Sequence, residues 1–185
     1  MDGHGRGPGR DANVNGPTES MTESMTMSKI SPCIWYVNEA EDAARFYCSL
    51  LPNSSVDRVQ RSPIDNPSGK AGDVLVVGFT LAGQSFIGLN GGSPAQFGHA
   101  VSFTVHCDDQ AEVDRLWDAL LADGGKPQQC GWLNDRWGVP WQIVPKGFTE
   151  MVASDNLEGS KRAMTAMMGM VKLDLAALKK AFDGG

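Results

Sequence analysis

Val-Ser-Phe-Thr-Val-His-Cys-Asp-Asp-Gln-Ala-Glu-Val-Asp-Arg-Leu-Trp-Asp-Ala-Leu-Leu, residues 101–121, is the stretch that decides the fold. Residues 101–107 are rich in aromatic and β-branched side chains and read as a strand. Asp108 or Asp109 then offers a helix N-cap. Val113, Leu116, Trp117, Leu120 and Leu121 follow at i, i+3, i+4, i+7 and i+8, one apolar stripe of a helix. The same stripe stands seventy residues earlier, at Ala43, Phe46, Tyr47, Leu50 and Leu51.

The neighbouring segments repeat as well. Residues 30–37 read as a strand, with Pro32 near its start or at an edge because proline has no N–H for a ladder. Asn38 is a helix N-cap and Glu41 completes a capping box. Pro52-Asn53 ends that helix. A polar strand (55–61), a Pro/Gly-rich loop (62–72), a strand (73–81), the turn Ala82-Gly83-Gln84 and a strand (85–90) follow. After the second helix, Gly124-Gly125 leads into short strands near 126–130, 133–137 and 140–144. Shared spacing, preceding strand and following hairpins together indicate a duplicated βαβββ module.

The expected architecture is α+β, with two tandem βαβββ modules forming a curved mixed sheet and helices at the C-terminus. Residues 1–28 are polar, rich in Gly, Ser and Thr, and are expected to be a disordered tail. The folded domain is expected over 29–150, with modules at about 30–90 and 99–145, and a helical extension over 151–185. In that extension Asp155 or Asn156, and then Asp174, are candidate caps; Ala163, Met164, Met167, Met168 and Val171 form one stripe, and Leu173, Leu175, Leu178 and Phe182 another.

Bulk properties narrow the function. The formal charge of −6 argues against nucleic acid as a partner, because phosphate binding needs a basic face. No run of apolar residues is long enough for a membrane helix, and the N-terminus lacks the apolar core of a secretory signal. Four cysteines without a C-x-x-C spacing read as reduced thiols in a cytoplasmic protein.

Residues 130–144 hold three of the five tryptophans. Trp141-Gln142-Ile143-Val144 reads as a strand with an amide inside it. Gln142 points either to water or into a pocket; in the second reading Trp132 and Trp137 are the pocket walls, with indole N–H groups to spend.

Several segments resemble PhnB-like proteins of the vicinal oxygen chelate superfamily, which includes glyoxalase I, extradiol dioxygenases and bleomycin-resistance proteins. They are residues 30–37 with 39–47, Gly-Gln-Ser-Phe-Ile-Gly-Leu-Asn-Gly-Gly (83–92), Ala-Val-Ser-Phe-Thr-Val-His-Cys (100–107), Cys-Gly-Trp-Leu-Asn-Asp-Arg-Trp-Gly (130–138) and Ala-Met-Thr-Ala-Met-Met-Gly-Met (163–170). The resemblance covers about residues 29–183. Such chains also carry the name 3-demethylubiquinone-9 3-methyltransferase domain. The resemblance implies a cup built by paired modules, commonly in a homodimer, with a divalent metal held by the first and last strands.

At the matching positions this chain has Pro32, a mate near Ser102, and Gln142 where metal-binding relatives carry Glu. The last assignment follows Asp135-x-x-Gly138-x-x-x-Gln142. An amide and a hydroxyl hold a divalent ion poorly beside His and Glu, so no metal or other cofactor is expected. His99 could join Asn90 and Gln142 if its register were shifted; otherwise it is a surface linker residue.

Counting alternate strand positions from Pro32 gives Ile34 and Tyr36, and from Ser102 gives Thr104. With Asn90, Trp132 and Gln142 these form the expected lining of a neutral cup for a small, planar ligand. The alternatives implied by the resemblance are a metal-dependent lyase or dioxygenase, or a quinone-related methyltransferase. Neither strand–helix junction carries the glycines of a nucleotide-type cofactor loop.

Overall fold

Strand β1 (Cys33–Tyr36), helix α1 (Ala40–Leu50) and strands β2 (Ser55–Arg61), β3 (Val74–Leu81) and β4 (Gln84–Asn90) make the first module. Strand β5 (Phe103–Cys107), helix α2 (Gln110–Leu121) and strands β6 (Lys126–Pro127), β7 (Trp132–Asn134) and β8 (Pro140–Pro145) make the second. Three helices follow: α3 (Lys146–Val152), α4 (Leu157–Met168) and α5 (Leu175–Asp183). This computed structural model describes residues 28–185; the expected disordered tail, Ser28 apart, lies outside the described residues.

The modules form two separate four-stranded sheets, ordered β1-β4-β3-β2 and β5-β8-β7-β6. In each, the first strand runs parallel to the last and the others are antiparallel. Each sheet turns one face to its helix and leaves the other open. Ile34, Tyr36, Val77, Phe79, Leu81 and Phe86 are buried on the helix face of the first sheet; Leu133, Trp141 and Ile143 are buried on that of the second. The two helix faces share one core. Phe86 meets Phe103 at 5.2 Å between ring centroids, and Tyr47 of α1 meets Trp141 at 5.1 Å.

Small residues let α1 lie close to its sheet. Ala40, Ala43 and Ala44 are fully buried, and a Cβ on Gly88 would stand 3.1 Å from that of Ala40. The helix is not capped as its sequence predicts. Asn38 gives no side-chain cap; the Asn90 carboxamide at the end of β4 accepts from Ala40 N at 2.9 Å and donates to Val74 O at 2.9 Å. Helix α2 follows its local signal. Asp109 accepts from Glu112 N at 2.8 Å, and the Glu112 carboxylate accepts from Asp108 N at 2.7 Å.

The seventy-residue offset holds for the helices, which begin at Ala40 and Gln110, but not for the strands before them, which end at Tyr36 and Cys107. The first junction (Val37, Asn38, Glu39) is one residue longer than the second (Asp108, Asp109). One residue reverses which side chains face which side of a sheet. Counting from Pro32 therefore selects the wrong face in β1: Ile34 and Tyr36 point into the core, while Cys33 and Trp35 lie on the open face.

The extension is docked on the second module. Cys130, at φ 61°, and Gly131, at φ 81°, turn their N–H groups to Met170 O and Val171 O, both at 2.8 Å. A side chain on Gly131 would press on Ile143 O and Leu173. Gln110 clamps the same segment, donating to Leu173 O at 3.1 Å and accepting from Leu175 N at 2.8 Å. Leu173 and Leu178 are buried, each worth about 1.5–3 kcal/mol over exposure. Asn156 and Asp174 cap α4 and α5 as expected, while α3 has no side-chain cap.

Candidate ligand pocket on the second sheet

In β8, Trp141 and Ile143 go to the core, so Gln142 goes to the open face. Its register fixes its neighbours: Thr104 on one side and Trp132 on the other, in one row across three strands. Gln142 Nε2 donates to Ser102 Oγ at 2.9 Å, which leaves the amide oxygen free to accept. Among the described residues, no group bonds the Trp132 indole N–H or the Thr104 hydroxyl. Four residues of the expected lining, Ser102, Thr104, Trp132 and Gln142, therefore come together.

The other three do not. Ile34 and Tyr36 are buried under α1, the latter with its hydroxyl donating to Tyr47 Oη at 3.3 Å. Asn90 is spent on the cap of α1. Trp137, expected as a pocket wall, packs on the opposite side, edge-on to Tyr47 at 5.6 Å and Tyr36 at 6.2 Å. The Arg136 guanidinium covers that cluster, 4.5 Å from the Phe46 ring, and pairs with Asp123 at 2.7 Å.

The Gln142 row forms one wall of a cavity of about 440 Å³, with Cys130 and Val144 beside it. The facing wall comes from the chain after β8, the extension, whose helix α3 straddles the expected 150/151 boundary: Phe148, Thr149, Val152 and Ala153 of the α3 region, Met167 of α4 and Leu173. Sequence reasoning missed this wall. Helix α3 lacks a cap and a long apolar period, and the methionine stripe reads as ordinary packing. Among the described residues, no carboxylate, ammonium, guanidinium or imidazole lines the cavity.

His99 sits at the edge of this region. Its Nε2 is 3.1 Å from Asn134 Oδ1, and its ring stands edge-on to Trp132 at 5.6 Å. It does not converge with Asn90, which faces the other way in the other sheet. Among the described residues, no three His, Cys, Asp or Glu side chains gather as a metal site. The donors at the superfamily position are an amide oxygen and hydroxyls, a set that does not fit a tightly held divalent ion. Both strand–helix junctions lack glycine, so neither forms a nucleotide-type cradle for S-adenosylmethionine.

Asp135, of the Asp-x-x-Gly motif, is not in the pocket. It is 3% exposed and accepts four hydrogen bonds: Tyr47 Oη at 2.5 Å, Trp141 Nε1 at 2.9 Å, Trp137 N at 2.9 Å and Val139 N at 3.0 Å. Burial pushes its carboxyl above the usual range, against the pull of those donors. Burial likewise pushes the Tyr47 hydroxyl well up. This carboxyl joins the two modules rather than facing a ligand.

Paired βαβββ modules with a pocket on an open sheet face define a glyoxalase-like protein. The chain belongs to the PhnB-like family described as 3-demethylubiquinone-9 3-methyltransferase, whose model matches residues 28–144. A PhnB protein from Bacillus cereus is 32% identical, with a TM-score of 0.56; the match covers 64% of this chain and 99% of that one. The protein PA1353 of Pseudomonas aeruginosa shares the fold at 19% identity and a TM-score of 0.53, over 64% of this chain and 98% of its own. A glyoxalase/bleomycin resistance protein from Albidiferax ferrireducens is also matched, at 19% identity and a TM-score of 0.41, over 64% of this chain and 98% of its own. No curated protein matches the chain. The family match stops short of the 163–170 segment.

Proposed function

We propose that this chain is a binding protein that holds a small, flat, uncharged molecule in the Gln142 pocket without a bound metal. The observation that carries this reading is the neutral row Thr104–Gln142–Trp132 on the wall of an uncharged cavity. An amide oxygen, a hydroxyl and an indole N–H orient a polar end of the ligand, and the apolar surroundings hold its body. A lyase, dioxygenase or methyl-transfer reading needs a ligand set or cofactor cradle that these residues do not supply. The protein acts as a homodimer in this reading, since among the described residues only Ser28 and Ser31 border the open face of the first sheet, which carries partly exposed Trp35, Val76, Ile87 and Leu89. Four unpaired thiols fit a cytoplasmic location.

The test is metal content after exposure to zinc, nickel, manganese and ferrous iron followed by dialysis, for the native protein and Gln142→Ala. The expected result is no stoichiometric metal in either. Near-stoichiometric metal in the native protein, lost in the variant, would overturn the reading and make Gln142 a ligand of a catalytic ion.

A further inference from the structure

The two walls of the pocket stand differently to the family model. The Gln142 row belongs to the family fold, which the family match follows only to residue 144. Phe148, Val152, Met167 and Leu173 lie beyond that match. We infer that the C-terminal extension is the specificity-determining wall of the pocket, and that it selects neutral ligands with a two-ring aromatic body and a hydroxyl or carbonyl end. This rests on the binding reading above and adds to it the source of selectivity.

The wall is fixed: backbone hydrogen bonds from Cys130 and Gly131, and the Gln110 clamp, hold its base to the second module. It is mostly apolar: Phe148, Val152, Met167 and Leu173 line it, opposite Trp132 on the sheet wall. It brings no charge, so a carboxylate or ammonium entering the cavity would lose hydration without a counter-ion. Thr149 apart, polar contact is left to the Gln142 row, which places the polar end of the ligand at the sheet and its rings against the extension.

The experiment is calorimetric titration of the full chain with 2-naphthol, phenol and 2-naphthoate, for the native protein, Val152→Phe, Phe148→Ala and Gln142→Ala. Val152 is 39% exposed at the rim, so a larger side chain there narrows the cavity without entering the core; circular dichroism checks each fold. Native protein should bind 2-naphthol saturably and 2-naphthoate at least about tenfold more weakly. Val152→Phe should weaken 2-naphthol about tenfold and change phenol by less than about twofold, whereas Gln142→Ala should weaken both alike. Phe148→Ala should erase the preference for two rings. Unchanged ranking in both extension variants, with both probes weakened by Gln142→Ala, would sink the inference and leave the pocket standing. Equal binding of 2-naphthoate also counts against it. No saturable binding of 2-naphthol by native protein, and no effect of Gln142→Ala, would remove the binding reading and the inference with it.

Discussion

At the residue scale, Asp135 is the most demanding position. This carboxyl is buried among aromatic rings with four donors and, among the described residues, no cation hydrogen-bonded to it. Replacing it with Asn keeps the shape but turns an N–H₂ toward the Trp141 indole N–H, so one buried donor loses its acceptor. Asp135→Asn should cost about 1–3 kcal/mol in urea denaturation near pH 5. The pH dependence has a definite sign. The folded carboxyl sits above its unfolded value, so the native fold keeps a proton that the unfolded chain has released. Its contribution is full below the ordinary Asp range, falls as pH rises to the raised folded pKa, and is flat beyond it. The gap between native protein and Asp135→Asn should therefore narrow as pH rises through that window. A gap that widens would show that the four donors outweigh burial. The same scale shows what a sequence carries. Thr104 follows from Ser102 because strand parity is local, and Gln142 from its spacing to Asp135 and Gly138; Trp132 is legible only as a candidate pocket wall in the tryptophan-rich segment. Ile34 and Tyr36 could not be placed this way, because their face depends on a single added residue in a junction whose length has no periodic signal.

At the scale of elements, the two helices contrast. The cap of α2 is written beside it, in Asp109 and Glu112, and could be read. The cap of α1 is Asn90, fifty residues downstream, which no local pattern connects to Ala40. Asn38 looked suitable because it has the right chemistry at the right spacing, but β4 brings a better-placed amide. Asn90→Ala should destabilise the fold by about 1–2 kcal/mol, since it strips Ala40 N of its acceptor and Val74 O of a donor. Affinity for 2-naphthol should not change; an altered affinity at unchanged stability would return Asn90 to the ligand site. Helix α3 escaped the sequence for the opposite reason. It has seven residues, no side-chain cap and no buried residue of its own, so nothing in its composition separates it from a loop. Its role comes from where Pro145 releases the chain, directly over the Gln142 row.

At the scale of the whole molecule, the modules meet through their helix faces and leave both sheets open outward. The second open face is partly covered by the extension. Among the described residues the first is bordered only by Ser28 and Ser31, and in the proposed homodimer a second copy lies on it. Light scattering behind size-exclusion chromatography should give twice the chain mass at micromolar concentration. Ile87→Lys, at the middle of the first open face, should shift the protein toward the monomer without lowering its thermal stability in the monomeric range. A native protein that runs at single chain mass throughout would rule the dimer out. The duplication was legible because amphipathic helices repeat at a fixed interval. The manner in which the modules pack was not, because it rests on contacts such as Tyr47 with Asp135 and Phe86 with Phe103, between residues far apart in the chain.

The unequal junctions bear on how the two halves can be recombined. A chimera that joins the first strand of one half to the helix of the other inherits the junction of whichever half supplies it. If the seam is placed by the helix interval alone, the strand arrives one residue out of step. Trp35 and Cys33 would then be driven under the helix, and Ile34 and Tyr36 would be left in water. The halves are copies in topology but not interchangeable parts, and any graft between them has to carry strand, junction and helix together.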